Sequence, residues 1–562
     1  MEMQNRTKGI LFLISLLTIL AMLIAACGPA TPEVPQVEEP GEPQTEEPGM
    51  EAPPTEEPAM EAPEETEIVG SFAQGEDFLT LDPSIGMAME MVVFVNLYEG
   101  LTYTPEYDTQ LALPLLATDW EVNEDGTVWT FHLRQGVKFH DGTDFTAEAV
   151  KYSFERTLRM AMGGSYILDP IAQEGAIEVV DDYTVRFNLA YPAPMDIITA
   201  SAYAAWIMSP TTTEEMAGDS EDWFNLGNDA GTGPYMIESY ERGRRVVMKK
   251  FDDYWAGWEP GSFDRVFMDV VEDPIVLQQM IESGETDITY GIPPENRPIL
   301  EAREDINRVE EKTFIVWYAP INTQHPPLDD KLVRQALAYS FPYDDVINVI
   351  LDGFGVQAVT TIPEGAWGYC DTCFKYSYDL DKARQLLTDS GHPEGGFGLE
   401  IVVYAGSPTS EQYAELWKAE LAKLGIDLTI TTMTTEAAYA RSRSTPEEAP
   451  DLVAFSWWQD IVHPLAFLQL PFQCEEDIFF NFSYWCNEEF DQLLWDGFEV
   501  SASDREASID IYEDAQKILI EEVPAVFQWQ EIKNWYVRSD VEGFVPNPAY
   551  TQAVFWKFLK RK

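Results

Sequence analysis

A run of 17 apolar residues, 10–26, ends on Leu23-Ile24-Ala25-Ala26-Cys27, and the 40 residues that follow Cys27 contain no Lys or Arg. This junction divides the chain into three parts that obey different physics. The apolar run follows Arg6 and Lys8 and is short for a bilayer span, which takes about 20 residues; it has the length of an export signal's apolar region. The chain is therefore expected outside the cytoplasm. Residues 28–67 are mainly Glu, Pro, Thr, Ala and Gly, 13 of them Glu. With one sign of charge and little apolar surface to bury, this stretch reads as an extended, self-repelling tether. The body that remains, 68–562, is about 495 residues long, enough for two or three domains with substantial cores. No other segment reaches about 18 consecutive apolar residues, so the body is expected to lie outside the membrane.

The net charge of −63 excludes one class of partner. Phosphate contacts need clustered Lys and Arg, and residues 9–133 have neither, so nucleic acid is not expected. An acidic surface of this kind keeps a body solvated in a salty or acidic medium; it admits a cationic ligand without identifying one.

Along the body, residues 68–72 read as a strand, and residues 91–97 as a short helix closing near Gly100, where Gly tolerates a left-handed end. Trp129-Thr130-Phe131-His132-Leu133 alternates after the turn Glu124-Asp125-Gly126, a hairpin strand with Trp129, Phe131 and Leu133 inward. A helix opens near Ala147 with Thr146 placed to cap it and Ala147 and Val150 buried. Residues 184–189 form another half-buried strand. The corner Gly231-Thr232-Gly233-Pro234-Tyr235 reads as a passage between domains, followed by strands 236–240 and 245–249 joined at Arg242-Gly243.

Beyond Asn322 helices and strands alternate: helices 330–339, 379–390 closed by Gly391 and 411–424 closed by Gly425, with strands at 399–404 and after Ile426. Tyr413, Trp417, Leu421 and Leu424 share one helical face. Pro342 interrupts a helix interior but suits a first turn, so a break near Phe341 and a fresh helix from Pro342 are expected. The order helix, Gly, strand is that of a sheet covered by helices, in which ligands sit at chain crossings.

Ala25-Ala26-Cys27 resembles the lipobox of bacterial lipoproteins, which implies acylation of Cys27, cleavage before it and a stable two-chain anchor in the lipid bilayer. The body resembles the solute-binding proteins of peptide and nickel ABC importers. The resemblance rests on Thr80-Leu81-Asp82-Pro83, Asn96-Leu97-Tyr98-Glu99-Gly100-Leu101, Trp129 to Arg134 with Val137-Lys138-Phe139-His140-Asp141-Gly142, Phe145-Thr146-Ala147-Glu148-Ala149-Val150, Gly231 to Tyr235, and Tyr378-Asp379-Leu380-Asp381-Lys382-Ala383. It implies an α/β, two-lobed, type II periplasmic-binding-protein-like fold with an additional domain inserted in lobe I. Carried over, lobe I comprises 68–110, 229–320 and 532–562, the inserted domain 111–228 and lobe II 321–531, after a signal peptide 1–26 and a lipidated tether 27–67. It further implies a monomeric body that captures a solute by hinge closure and delivers it to a permease pair driven by ATPases, without a cofactor.

The ligand end of the argument is residues 451–464. Residues 452–455 read as one buried strand feeding Ser456-Trp457-Trp458-Gln459-Asp460, two indoles and a carboxylate at a strand exit. In peptide-binding relatives the aspartate of such a stretch receives the peptide ammonium, which the resemblance assigns to Asp460 beside Trp457 or Trp458; Tyr98 and Glu99 are the candidates from the other lobe. The bland alternative is that Asp460 braces the loop before Pro464 while the indoles fill cores. Short peptides are the expected ligand, with oligosaccharides or metal complexes as alternatives; the chain has only five His, at 132, 140, 325, 392 and 463. Export and an even count point to two disulfides among Cys370, Cys373, Cys474 and Cys486, most simply 370 to 373 and 474 to 486, although four cysteines permit three pairings. A four-thiolate zinc site is the alternative. No Gly-x-Ser-x-Gly, His-Glu-x-x-His or Walker-type motif occurs, so no enzyme is expected. An envelope adhesin is compatible with anchor and tether but has no internal repeat to support it.

Overall fold

The computed structural model describes residues 67–87, 89–550 and 552–562; the apolar run, Cys27 and residues 28–66, with the expectations placed on them, lie outside the described residues. The body, Thr66–Lys562, is one compact unit. No described helix is long and apolar enough to cross a membrane.

The body opens on β1 (Val69–Gln74) and helix α1 (Met91–Leu97), every residue of which is buried. Gly100 does not close α1 in a left-handed conformation: the C-cap is Tyr98, in extended backbone. Gly100 is required for another reason, since a Cβ there would lie 2.5 Å from the carbonyl oxygen of Thr199. A four-stranded antiparallel sheet follows, built from β2 (Ala117–Val122), β3 (Val128–Leu133), β4 (Ile177–Asp181) and β5 (Thr184–Asn188) in the order β2-β3-β5-β4. Trp129, Phe131 and Leu133 point into its core, as the alternation requires. Helix α2 (Ala147–Met160) connects β3 to β4; Thr146 occupies its N-cap position, but its side chain accepts no capping bond.

The chain then builds β6 (Tyr235–Glu241), β7 (Arg245–Lys250), β8 (Arg265–Val270), β9 (Ile288–Thr289) and the long β10 (Ile306–Pro320). Helix α3 (Lys331–Ser340) starts at Asp330, whose carboxylate accepts from the Leu332 N–H, and stops before Phe341-Pro342; a new helical turn begins at Tyr343. After β11 (Gly355–Gln357) come α4 (Leu380–Asp389), β12 (Gly398–Tyr404), α5 (Pro408–Ala422) and β13 (Asp427–Met433). Helix α5 starts three residues before Glu411 because Pro408 fits a first turn. Its Tyr413, Trp417 and Leu421 are fully buried.

Residues 452–457 are not one strand but two. β14 (Leu452–Val453) pairs in parallel with β12 in the three-stranded sheet β13-β12-β14; β15 (Phe455–Trp457) pairs antiparallel with β10 at the edge of the large sheet. After α6 (Arg505–Glu522), β16 (Ala525–Arg538) runs the length of β10. The large sheet has the order β15-β10-β16-β9-β1-β8-β7-β6, with β11 also on β16. Two main cores result. One joins β1, α1, the four-stranded sheet and β15, and the other lies between α3, α4, α5 and the parallel sheet. Cys370 is bonded to Cys373 and Cys474 to Cys486, which leaves none of these four thiols for zinc.

Candidate functional site

Because β15 ends at Trp457, the following loop leaves the sheet edge at the point where the two sheets share one segment of chain. Trp457 is 6% exposed; its indole N–H donates to the Ala466 carbonyl at 2.8 Å and its ring meets Phe480 edge-on at 5.1 Å. It fills a core. Trp458, one residue on and on the opposite side of the chain, is 36% exposed, and its N–H donates to the Tyr203 hydroxyl. Gln459 ties the loop to the C-terminal region through the Pro548 carbonyl at 3.0 Å.

Asp460 keeps partial solvent contact, although its carboxyl is enclosed by protein. That enclosure pushes its pKa up to about 6, against the opposing effect of a hydrogen bond from the Tyr166 hydroxyl. Its backbone carbonyl accepts from Ser201 Oγ at 3.2 Å. Asp460 joins no ion pair among the described residues. Nor does it brace the loop before Pro464: the helix there, Pro464–Phe472, is capped by His463 Nδ1, which accepts from the Leu465 N–H. A half-exposed tyrosine, an indole and an enclosed carboxylate without a cation thus meet at one loop. Such a group can take a ligand ammonium, with Trp458 as an apolar wall.

Sequence reasoning missed Tyr166, Ser201 and Tyr203. They reach Asp460 from more than 250 residues away in the chain, and no local pattern marks them.

Tyr98 and Glu99 do not join this group. They follow α1 and are held by the Gly231 corner, where a Cβ would lie 1.7 Å from the Leu97 carbonyl oxygen. The Glu99 carboxylate accepts from Thr232 Oγ1 at 2.9 Å, the Tyr254 hydroxyl at 2.9 Å and the Trp255 indole N–H at 3.0 Å. Burial raises its pKa to about 7 against those three bonds. The Tyr98 hydroxyl accepts the Ala230 N–H at 3.4 Å, and burial pushes its pKa well up. Both residues line a cavity of about 470 Å³ that neither Trp457, Trp458 nor Asp460 lines. Next to it, His140 Nδ1 bonds Asp229, and Nε2 faces the Gly233 carbonyl at 2.9 Å. With acceptors on both nitrogens the ring is held as a cation. Burial pulls its pKa down, but Asp229 outweighs this and the net shift is upward. Among the described residues no group of three His, Cys, Asp or Glu is placed to hold a metal.

The two sheets, their shared crossings and the four-stranded insertion define a type II periplasmic-binding-protein-like fold with an inserted subdomain. Residues 112–478 match the bacterial extracellular solute-binding proteins, family 5, and the chain belongs to that family, one of binding proteins rather than enzymes. It is 30% identical to the dipeptide-binding protein of Escherichia coli over 78% of this chain and 85% of that one. It is 28% identical to heme-binding protein A of Haemophilus influenzae over 77% and 82%. The structure of the ABC transporter-associated periplasmic binding protein DppA from Helicobacter pylori, in complex with the peptide STSA, superposes with a TM-score of 0.74 at 26% identity, covering 88% of this chain and 98% of that one.

Proposed function

We propose that this chain captures short peptides outside the cytoplasm and delivers them to an ABC peptide importer, with Asp460 as the receptor of the peptide amino terminus. The observation that carries the reading is the enclosed Asp460 carboxylate, joined by Tyr166 but by no cation, beside the exposed Trp458. The likeness to the dipeptide-binding protein supports the ligand class. In this reading lobe I is 68–110, 229–320 and 532–562, the inserted domain 111–228 and lobe II 321–531. Closure of the lobes over the peptide would give the permease pair and its ATPases a liganded form distinct from the empty one. Acylation of Cys27 would hold the body at the membrane through the tether; Cys27→Ala is expected to release it, as membrane fractionation and mass spectrometry of the mature N-terminus will show.

The test of the receptor is calorimetry on the full chain in detergent with free and N-acetylated dipeptides. Acetylation and Asp460→Asn are each expected to weaken binding roughly 30-fold or more, without adding to one another. Equal affinity for free and acetylated peptides defeats the Asp460 assignment. Tight binding of an oligosaccharide or heme alone defeats the peptide reading.

A further inference from the structure

The cavity of about 470 Å³ at Glu99 lies outside the Asp460 group and is built from different material. Its walls are largely aromatic, with Tyr98, Trp206, Tyr254 and Trp255 deep and Tyr550 and Phe544 across from them. Tyr107, Val545 and Phe558 at its lining are 70%, 58% and 64% exposed, so an apolar mouth stands open to solvent where isolated exposed side chains would need no explanation. On the wall is the Glu99 carboxylate, 4% exposed and in no ion pair among the described residues. Glu106 adds a second carboxylate to the lining.

The one lysine of the lining does not neutralise Glu99. Lys557 is turned to the Gly257 carbonyl and to the ring faces of Trp258, at 4.5 Å, and Tyr254, at 5.3 Å. It shows that these rings already accept a cation on their faces. The surrounding field, from a chain of net charge −63, concentrates cations further.

From this cavity, its exposed apolar mouth and the carboxylate on its wall we infer a second binding site, for a small organic cation with an aromatic or branched apolar body. The ammonium would lie against Glu99 between the Tyr254 and Trp255 rings, and the apolar body would fill the space toward Phe544 and Phe558. The site adjoins the peptide group through two contacts. Ser201 lines the cavity and holds the Asp460 carbonyl, and Asn547 and Tyr550 line it from the loop that Gln459 grips. A ligand here is thus placed to alter the loop that carries Asp460.

The test is titration of the full chain in detergent with phenethylamine and with its neutral counterpart ethylbenzene, followed by aromatic-region NMR and competition calorimetry. Phenethylamine is expected to bind more tightly than ethylbenzene, to retain its affinity in Asp460→Asn, and to lose roughly tenfold or more in Glu99→Gln. Val545→Trp, a change at an exposed position of the mouth, is expected to block the amine while leaving dipeptide binding intact; it keeps the test valid if Glu99→Gln does not fold. Three results would each overturn the inference: ethylbenzene binding as well as the amine, amine binding lost in Asp460→Asn but kept in Val545→Trp, or no binding of either probe at millimolar concentration.

Discussion

At Asp460 the protein and a peptide amino terminus have opposite protonation needs. The ligand is charged below its own pKa of roughly 8, and the carboxylate is charged above about 6. Peptide affinity is therefore expected to be full near pH 7 and to fall as pH drops through about 6, a higher midpoint than an unburied aspartate would give. The Tyr166 hydroxyl donates to the charged form and lowers the pKa, so Tyr166→Phe raises it and moves the affinity midpoint to higher pH. Calorimetric titrations between pH 5 and 8 on both proteins measure this; an unmoved midpoint would separate Tyr166 from the receptor. Of this site, Asp460 and the indoles were legible because strand exit, Trp and Asp are contiguous and match a family block. Which indole faces solvent was not, because that depends on the pairing of β15 with β10, more than 130 residues away.

The elements most legible in the sequence carry their own signals. Asp330 and Asp379 cap α3 and α4 with their carboxylates, Gly391 and Gly425 follow α4 and α5 with positive φ, and Pro342 breaks the helix where expected. Elements whose limits are set from afar were misread, as with the division of 452–457 between two sheets. The same holds for the junction of α2 with the turn after β1. Arg156 Nη1 and Nη2 bond the two Asp82 carboxylate oxygens at 2.7 and 2.6 Å, Nη1 also reaches Ser84 Oγ at 2.7 Å, and both partners are fully buried. Removing one partner of such a pair leaves an uncompensated buried charge, so Arg156→Met is expected to cost about 3–5 kcal/mol in denaturant unfolding. It should also weaken peptide binding, because Gly163, just after α2, packs on Ile85 with no room for a Cβ, and Tyr166 lies on the same segment. A loss under about 1 kcal/mol would mean that the turn is held by its backbone alone.

For the molecule as a whole, the acidic balance sets the terms on which the lobes meet. Acidic residues outnumber basic ones by 63, so ion pairs such as Arg265 with Glu238 or Lys331 with Glu521 and Glu522 leave most of the charge uncompensated. Each exposed pair contributes about 0–1 kcal/mol and loses part of it in salt. Mutual repulsion of the excess carboxylates acts over the whole body and is screened more strongly, since the Debye length falls from about 30 Å at 0.01 M to about 3 Å at 1 M. Repulsion therefore wins, and salt should stabilise the fold. Thermal unfolding at pH 7 in low and high sodium chloride is expected to show a Tm higher by a few degrees in salt. A shift in the same direction is expected at low salt as pH falls from 7 toward 5, where raised carboxylates such as Asp460 and Glu99, at about 6 and about 7, take up protons in the folded state first. The sign follows from linkage: a carboxyl whose folded pKa exceeds its unfolded one weakens the fold above the folded value and ceases to do so once pH has fallen below the unfolded value. A Tm that drops with salt would show that local ion pairs, not long-range repulsion, dominate the electrostatics of this body.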